Sequence, residues 1–362
     1  MIFFLQKRCK PSLLLLLVTI LFLSSCKTKV PDTSISNKDA VKTQKASKKA
    51  ESKTLQTIAF GSCNNQKKPQ PLWKDILAYN PDLWIWLGDN IYGDSEDAEF
   101  MKKQYDLQSK VKDYQKLVAY SPIVGIWDDH DYGSNNGGKE YAAKESNKNL
   151  MLDFLDVPAD AAVRQREGAY QSYSFGEVGK EVKVILLDSR YFRDTPDFEK
   201  GRGYAPNLEG TILGMAQWEW LKNELENSTA QIHLIANGIQ VIPEDHRFEK
   251  WANFPNERQQ LFDLIKDTKA KGVILLSGDR HIGEFSKLDI EGMDYPLYEF
   301  TSSGLTHAYT SFTGEENRHR VGEVASELNF GVLQISWGES IEVKAMMRGL
   351  DNKEINTFTW TY

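Results

Sequence analysis

PIVGIWDDHDYGSNNGG, residues 122–138, contains the change that decides the fold. An apolar, β-prone run ends at Trp127, and Asp128, Asp129, His130 and Asp131 follow without a break. Three carboxylates within four residues repel one another when ionised, and together with the imidazole among them they do not fill a core. Asp also favours turns and helix caps, where its side chain bonds the local backbone, so one such cluster in isolation is equally an ordinary turn or cap.

Working outward, the same pattern recurs. TIAFGSCNN (57–65) ends in Ser62, Cys63, Asn64 and Asn65, and DLWIWLGDNIYGD (82–94) in Asp89, Asn90 and Tyr92. VKVILLDSRYFRD (182–194) ends in Asp188 and Arg190, and IHLIANGIQVIPEDHR (232–247) in Asn237 and Gln240, with Glu244 to His246 beyond. GVILLSGDRHIGE (272–284) ends in Asp279, Arg280 and His281. Continuous apolar runs suit strands covered on both faces. Helical patterns such as QWEWLKNELENS (217–228) and NERQQLFDLIKDTKAKG (256–272) lie between some of them, which predicts an α/β sheet. Ligands of such sheets bind outside the carboxyl ends of the strands, so the polar ends are expected on one rim. Carboxylates gathered there need cations to neutralise them. Hard oxygen donors suit Ca²⁺, Mg²⁺ or Mn²⁺, and imidazole and thiolate suit Fe or Zn.

The rest of the chain narrows the setting. An apolar content of 41% supplies a sizeable core, and a net charge of −7 argues against a nonspecific nucleic-acid-binding surface. Cys9, Cys26 and Cys63 are too few for a disulfide framework. Lys7, Arg8 and Lys10 precede the apolar SLLLLLVTILFL, too short for a comfortable membrane span, so residues 1–25 read as an export signal. LSSC, ending at Cys26, resembles the lipobox of bacterial lipoproteins; the alternative is an ordinary secretory signal cleaved after small residues. Residues 26–54 are polar and read as a lipidated cysteine with a flexible tether, which leaves 55–362 as the folded domain. The expected location is the bacterial cell envelope, with the membrane contacted through lipid on Cys26.

GSCNNQ, GDNIYGD, WDDHDYGSNN, LDSRYFR, GMAQWEWLKNEL, NGIQV and SGDRHIGE occur in the order seen in the alkaline phosphatase D family of the calcineurin-like metallophosphoesterases, which the chain resembles over 55–362. The resemblance implies a four-layer α-β-β-α sandwich with a metal centre between the sheets. It implies hydrolysis of phosphate mono- or diesters by metal-activated hydroxide. Asp89 matches the aspartate that bridges two metals. Asp129 takes the place of a metal-ligand asparagine, and His130 that of the histidine serving the leaving oxygen. Asp279 and His281 replace two histidine ligands. Cys63 is a candidate thiolate ligand, Tyr92 a candidate tyrosinate, and Asn237 or Gln240 a candidate amide donor. This ligand set favours a trivalent or hard cation, the resemblance implies Fe³⁺ with Ca²⁺, and the spacing also admits a Zn²⁺ or Mn²⁺ pair.

Each residue also has a plainer reading. Cys63 and Tyr92 are alternatively packed core residues. Arg190 and Arg280 are candidate phosphate clamps, and Arg190 is alternatively the partner of Asp188 in a structural ion pair. Asp128 and Asp131 are expected to orient His130 or to support the ligands. His246 and His307 read as loop or pocket residues, His233 as structural and His319 as solvated. Trp251, Pro255 and Arg258 read as an active-site wall or a packed loop. The rivals to an enzyme are a surface lipoprotein that binds an envelope ligand through a degenerate metal site, and a calcium-stabilised structural domain.

Overall fold

A computed structural model describes residues 53–362. The expected export signal, Cys26 and nearly all of the tether lie outside the described residues. The chain runs β1 (Thr57–Gly61), α1 (Leu72–Ala78), β2 (Leu83–Leu87), α2 (Ala98–Ser109), α3 (Lys112–Val118), β3 (Ile123–Ile126), α4 (Asp129–Tyr132) and α5 (Lys144–Phe154). Then come β4 (Gln171–Phe175), β5 (Val182–Leu186), β6 (Phe198–Glu199), β7 (Gly203–Tyr204), α6 (Gly214–Glu226), β8 (Ile232–Ala236), α7 (Pro255–Thr268) and β9 (Val273–Ser277). The last part is mostly strand: β10 (Gly283–Leu288), β11 (Leu297–Ser302), β12 (Arg320–Ala325), β13 (Phe330–Trp337), β14 (Ile341–Arg348) and β15 (Glu354–Thr361).

Two large sheets result. The first has the order β15-β14-β13-β1-β2-β3 and the second β12-β10-β11-β9-β8-β5-β4. β1, β2 and β3 are parallel, as are β5, β8, β9 and β11. These parallel blocks contain the apolar runs read from the sequence, and their shared direction brings the polar carboxyl ends together.

Burial on both faces explains the lack of alternation. In β2, LWIWL, all five residues are buried. Successive side chains of a strand point to opposite faces. Trp84 and Trp86 meet Trp73 of α1, at ring-centroid distances of 4.9 and 5.4 Å, and Tyr114 of α3 lies 5.0 Å from Trp73. Between the sheets, Phe60 of β1 contacts Phe300 of β11 at 4.8 Å, and Phe285 of β10 adds a contact at 4.0 Å. On the outer face of the second sheet, Trp218 and Leu221 of α6 and Leu261 and Ile265 of α7 share one cluster with Ile235 and Leu275. The order is helices, sheet, sheet, helices, the expected four-layer α/β sandwich. Among the described residues no helix is long and apolar enough to cross a membrane.

Candidate metal centre

The site is assembled from the loops that leave β1, β2, β3, β9 and β11. Asp128 sits at its base. Gly88 (φ +91°) and Gly238 both abut it: a Cβ on Gly88 would lie 2.4 Å from the Asp128 Cβ, and one on Gly238 would lie 2.2 Å from its Oδ1. Only glycine permits that approach. Asp131 does not reach His130. Its carboxylate accepts the amides of Asp128 (2.7 Å), Asp89 (3.2 Å) and Asn90 (3.2 Å), and so ties the β2 and β3 exits together.

Three groups of donor atoms form, each within 4.8 Å: Cys63 with Asp89 and His281; Asp89 with Asp129 and His130; Asp128 with Asp129 and Asp279. Cys63 is fully buried, with Sγ 3.4 Å from Asp89 Oδ2. Tyr92 Oη stands 3.2 Å from the same carboxylate oxygen. Cys63, Asp89, Asp279 and His281 all have left-handed backbone, with φ of 58°, 49°, 64° and 53°.

The electrostatics of these groups ask for cations. Burial pushes the Asp89 carboxyl well above the usual range, and Asp129 adds to the effect. Burial raises Asp128 to about 8 despite Arg190, and raises Asp279, with help from Asp129, to about 7. The Cys63 thiol and the Tyr92 phenol are likewise raised by burial and then by Asp89. Burial also opposes ionisation of Asp129, but Arg190, His130 and the Asn136 amide hold it below the usual range. Asp128 Oδ2 and Asp129 Oδ1 are buried without a hydrogen-bond partner. Orphaned anionic oxygens beside a thiol, a phenol and an imidazole fit bound metal ions.

His130 faces the cleft with its Nδ1 2.8 and 2.9 Å from the two carboxylate oxygens of Asp94. Burial disfavours its charged form, but the Asp94 hydrogen bond and the charges of Asp89 and Asp129 outweigh that and push it up to about 10. The Tyr92 ring lies against it with centroids 4.1 Å apart. Tyr92 Oη also meets Nε2 of both His281 and His307 at 3.0 Å. Burial and then neighbouring positive charge lower His281 to about 4 and His307 to about 3. A cleft of about 540 Å³ opens over Asp89, Asp129, His130, Asp279, Arg280 and His281.

The model of the PhoD-like phosphatases matches residues 58–334. The chain belongs to this family. It is 26% identical over 308 residues to alkaline phosphatase D of Bacillus subtilis (strain 168), a match covering 72% of this chain and 51% of that protein, so the chain spans about half the length of that relative. The fold is similar to a solved structure of PhoD, with a TM-score of 0.65 and 18% identity, over 84% of this chain and 72% of that one. It is also similar to a dimetal phosphatase from Danio rerio, with a TM-score of 0.53 and 12% identity, over 85% of this chain and 99% of that one.

In this PhoD-like chain Cys63, Asp89, Tyr92, Asp128, Asp129, His130, Asp279 and His281 come together, but several residues do other work than expected. Arg190 is not on the cleft. Its side chain is fully buried, with Nε 2.6 Å from Asp128 Oδ1 and Nη1 2.6 Å from Glu249 Oε2, and Glu249 also binds Arg193. The Asp188–Arg190 ion pair does not form. Asp188 instead accepts the Trp127 indole (2.8 Å) and the amides of Ala169 (2.7 Å), Arg190 (3.0 Å) and Tyr191 (3.0 Å). The Asn237 oxygen accepts the Trp251 indole N–H at 3.0 Å, and Gln240 donates to Glu284 and Thr301 behind the site. Trp251 is core and Arg258 binds the Val241 carbonyl at 2.7 Å, so the cleft wall is Arg247 and Phe248 instead. Asp94 is the residue that orients His130, a role not read from GDNIYGD even though the motif contains it. His233 is structural, between the Lys271 carbonyl and Ser228. His319 is half-buried against Glu244.

Proposed function

We propose that this protein is an exported, lipid-anchored, metal-dependent phosphoesterase that hydrolyses phosphate mono- or diesters. The observation that carries the reading is three overlapping donor groups on the floor of a cleft that also holds His130. Cys63, Asp89, Tyr92 and His281 would hold one ion, and Asp89, Asp129, Asp128 and Asp279 the others. The mixed thiolate, phenolate and carboxylate set favours Fe³⁺ with Ca²⁺ over a Zn²⁺ or Mn²⁺ pair. Bound there, the ions supply Lewis acidity, which neutralises phosphoryl charge and lowers the pKa of water.

The chain's own residues do the rest. Asp94 holds the Nδ1 proton of His130, which leaves Nε2 to donate to the leaving oxygen. Tyr92 braces the imidazole ring from the side. Arg280 lines the cleft with its guanidinium 4.1 Å above the Phe248 ring and bonded to Glu315, and it supplies a planar fork for a phosphoryl group. The intact His130–Asp94 pair favours an enzyme over a degenerate binding protein.

Turnover of 4-nitrophenyl phosphate and bis(4-nitrophenyl) phosphate, with elemental analysis of the same preparation, tests the activity. Metal-free protein of full stability and no turnover of either ester would refute it. Export and anchoring rest on residues 1–26 alone. Cys26→Ser should move the protein from the membrane fraction to the soluble fraction, and a wild type already soluble with an unmodified N-terminus would end that part of the reading.

A further inference from the structure

The cleft has a second lobe. About 510 Å³ lies beside Arg247 and Phe248, and Asn136, Arg247, Phe248 and Asp279 line both lobes, so the two adjoin. The far wall is the β6–β7 hairpin, with Phe198 paired to Tyr204 and their rings 5.2 Å apart. Phe198 is 64% exposed. A large aromatic left in water on a cleft wall offers an open stacking face.

The hairpin is fixed in place. Gly203 has φ +94° and lies so close to the Arg247 backbone that a Cβ there would come within 2.1 Å of the Arg247 carbonyl oxygen. The Ala205 amide donates to the Asp197 carbonyl at 2.8 Å, and Asn253 Nδ2 donates to the Tyr204 carbonyl at 3.3 Å. The wall is therefore preformed, and binding against it costs little ordering.

Its charge is one-sided. Glu249, which lines this lobe, is engaged by Arg190 and Arg193, and Asp279 belongs to the metal centre. Lys200 and Arg247 also line it, and among the described residues neither has a carboxylate within ion-pair distance. Arg247 lies over the Phe248 ring at 5.2 Å. Aromatic faces beside unpaired cations match a planar ring that bears a negative charge.

Given the phosphoesterase reading, on which this rests, we infer that the second lobe is the subsite for the organic group of the ester, and that it selects a planar ring carrying an anionic substituent. Phe198 and Tyr204 supply the stacking face, and Lys200 and Arg247 the charge. The phosphoryl group stays in the first lobe, beside His130 and Arg280.

Equilibrium binding of three non-hydrolysable phosphonates to metal-loaded protein tests this: methylphosphonate, benzylphosphonate and 4-carboxybenzylphosphonate. Benzyl should bind about tenfold tighter than methyl, and the carboxylate should add about threefold more. Phe198→Ala should bring the benzyl-to-methyl ratio close to one while the carboxylate increment persists. Lys200→Glu should abolish or reverse the carboxylate increment while the benzyl ratio persists. Both substitutions are at exposed positions of the hairpin. Wild-type ratios near one, or ratios that neither substitution changes, overturn the subsite while methylphosphonate binding keeps the phosphoesterase reading. Absence of methylphosphonate binding together with absence of 4-nitrophenyl phosphate turnover overturns both.

Discussion

Arg190→Met should destabilise the protein without directly weakening its hold on phosphate. Arg190 is the second link in a buried chain, Asp128–Arg190–Glu249–Arg193, whose alternating charges cancel. Its side chain is 0% exposed, and so is that of Asp128. Removing one partner of a buried pair typically costs ~3–5 kcal/mol, because the other charge is left uncompensated. The structure argues for the lower end. Glu249 keeps Arg193. A loss of ~3 kcal/mol at about 2 °C per kcal/mol for a large domain is a fall in Tm of roughly 6 °C.

Thermal unfolding and inhibition of turnover by inorganic phosphate, measured on the same preparations, decide the matter. A direct clamp makes the opposite prediction: an unchanged Tm and a phosphate inhibition constant raised roughly 10- to 100-fold, the worth of a charge-assisted bidentate contact. That pattern would refute the positioning role. Arg190→Lys should recover only part of the stability, since a point charge on a flexible stem cannot span Asp128 and Glu249 as the planar fork does.

Asp89→Asn should lower the content of every bound metal as well as turnover, and Cys63→Ser should lower one ion selectively; elemental analysis and the visible absorbance of a thiolate or phenolate on Fe³⁺ check both. His130→Ala should cut turnover of alkyl phosphates by about 10²–10⁴ and of nitrophenyl phosphate far less, because nitrophenolate leaves with little protonation. Asp94→Asn should show the same leaving-group dependence at about a tenth to a fifth of wild-type turnover, since its carboxylate is 42% exposed and the charged hydrogen bond is weakened by solvent. Equal losses across the leaving-group series would remove the proton-donor role. Burial lowers the pKa of His233, so its stabilising effect is complete above the unfolded pKa of about 6.5 and is lost as pH falls below it. Wild type should therefore lose more Tm between pH 7 and pH 5 than His233→Gln does.

Much of this site is legible in the sequence because strand ends are local features. Each apolar run stops where a strand meets the rim, and the residue types after it are those of a metal centre. Asp89, Asp129, Asp279 and Cys63 could be named from that alone together with the family resemblance. What could not be read was which side chain turns toward which. Arg190 and Asp188 are two residues apart, yet Asp188 accepts the amides of Arg190 and Tyr191 and the Trp127 indole, while Arg190 reaches 62 residues away to Asp128. Asp94 and His130 are 36 residues apart, and nothing in either motif pairs them. The hairpin at Phe198–Tyr204 has two-residue strands, too short for any periodicity to show. The antiparallel strands β12–β15 end in no chemistry, so no polar strand end marks them in the sequence.

Backbone conformation is the other feature hidden from the sequence. Cys63, Asp89, Asp279 and His281 hold left-handed φ values that L-residues disfavour by about 1–2 kcal/mol each. Glycine would remove that strain, but it would also remove the donor atoms. At Cys63 and His281 the strain persists because the exit loop of β11 over-determines it. Thr306 Oγ1 donates to the Cys63 carbonyl at 3.1 Å and accepts the Asn65 amide at 2.7 Å, and so fixes the turn on both sides of Asn64. The Tyr309 amide donates to the His281 carbonyl at 2.7 Å, and Ser303 brackets Ile282 from its amide and its hydroxyl. One segment, Ser303–Tyr309, thus pins two of the strained turns and also delivers His307 to Tyr92. The turns that carry Cys63 and His281 are thus held by hydrogen bonds from a loop whose own sequence contains no recognisable ligand motif.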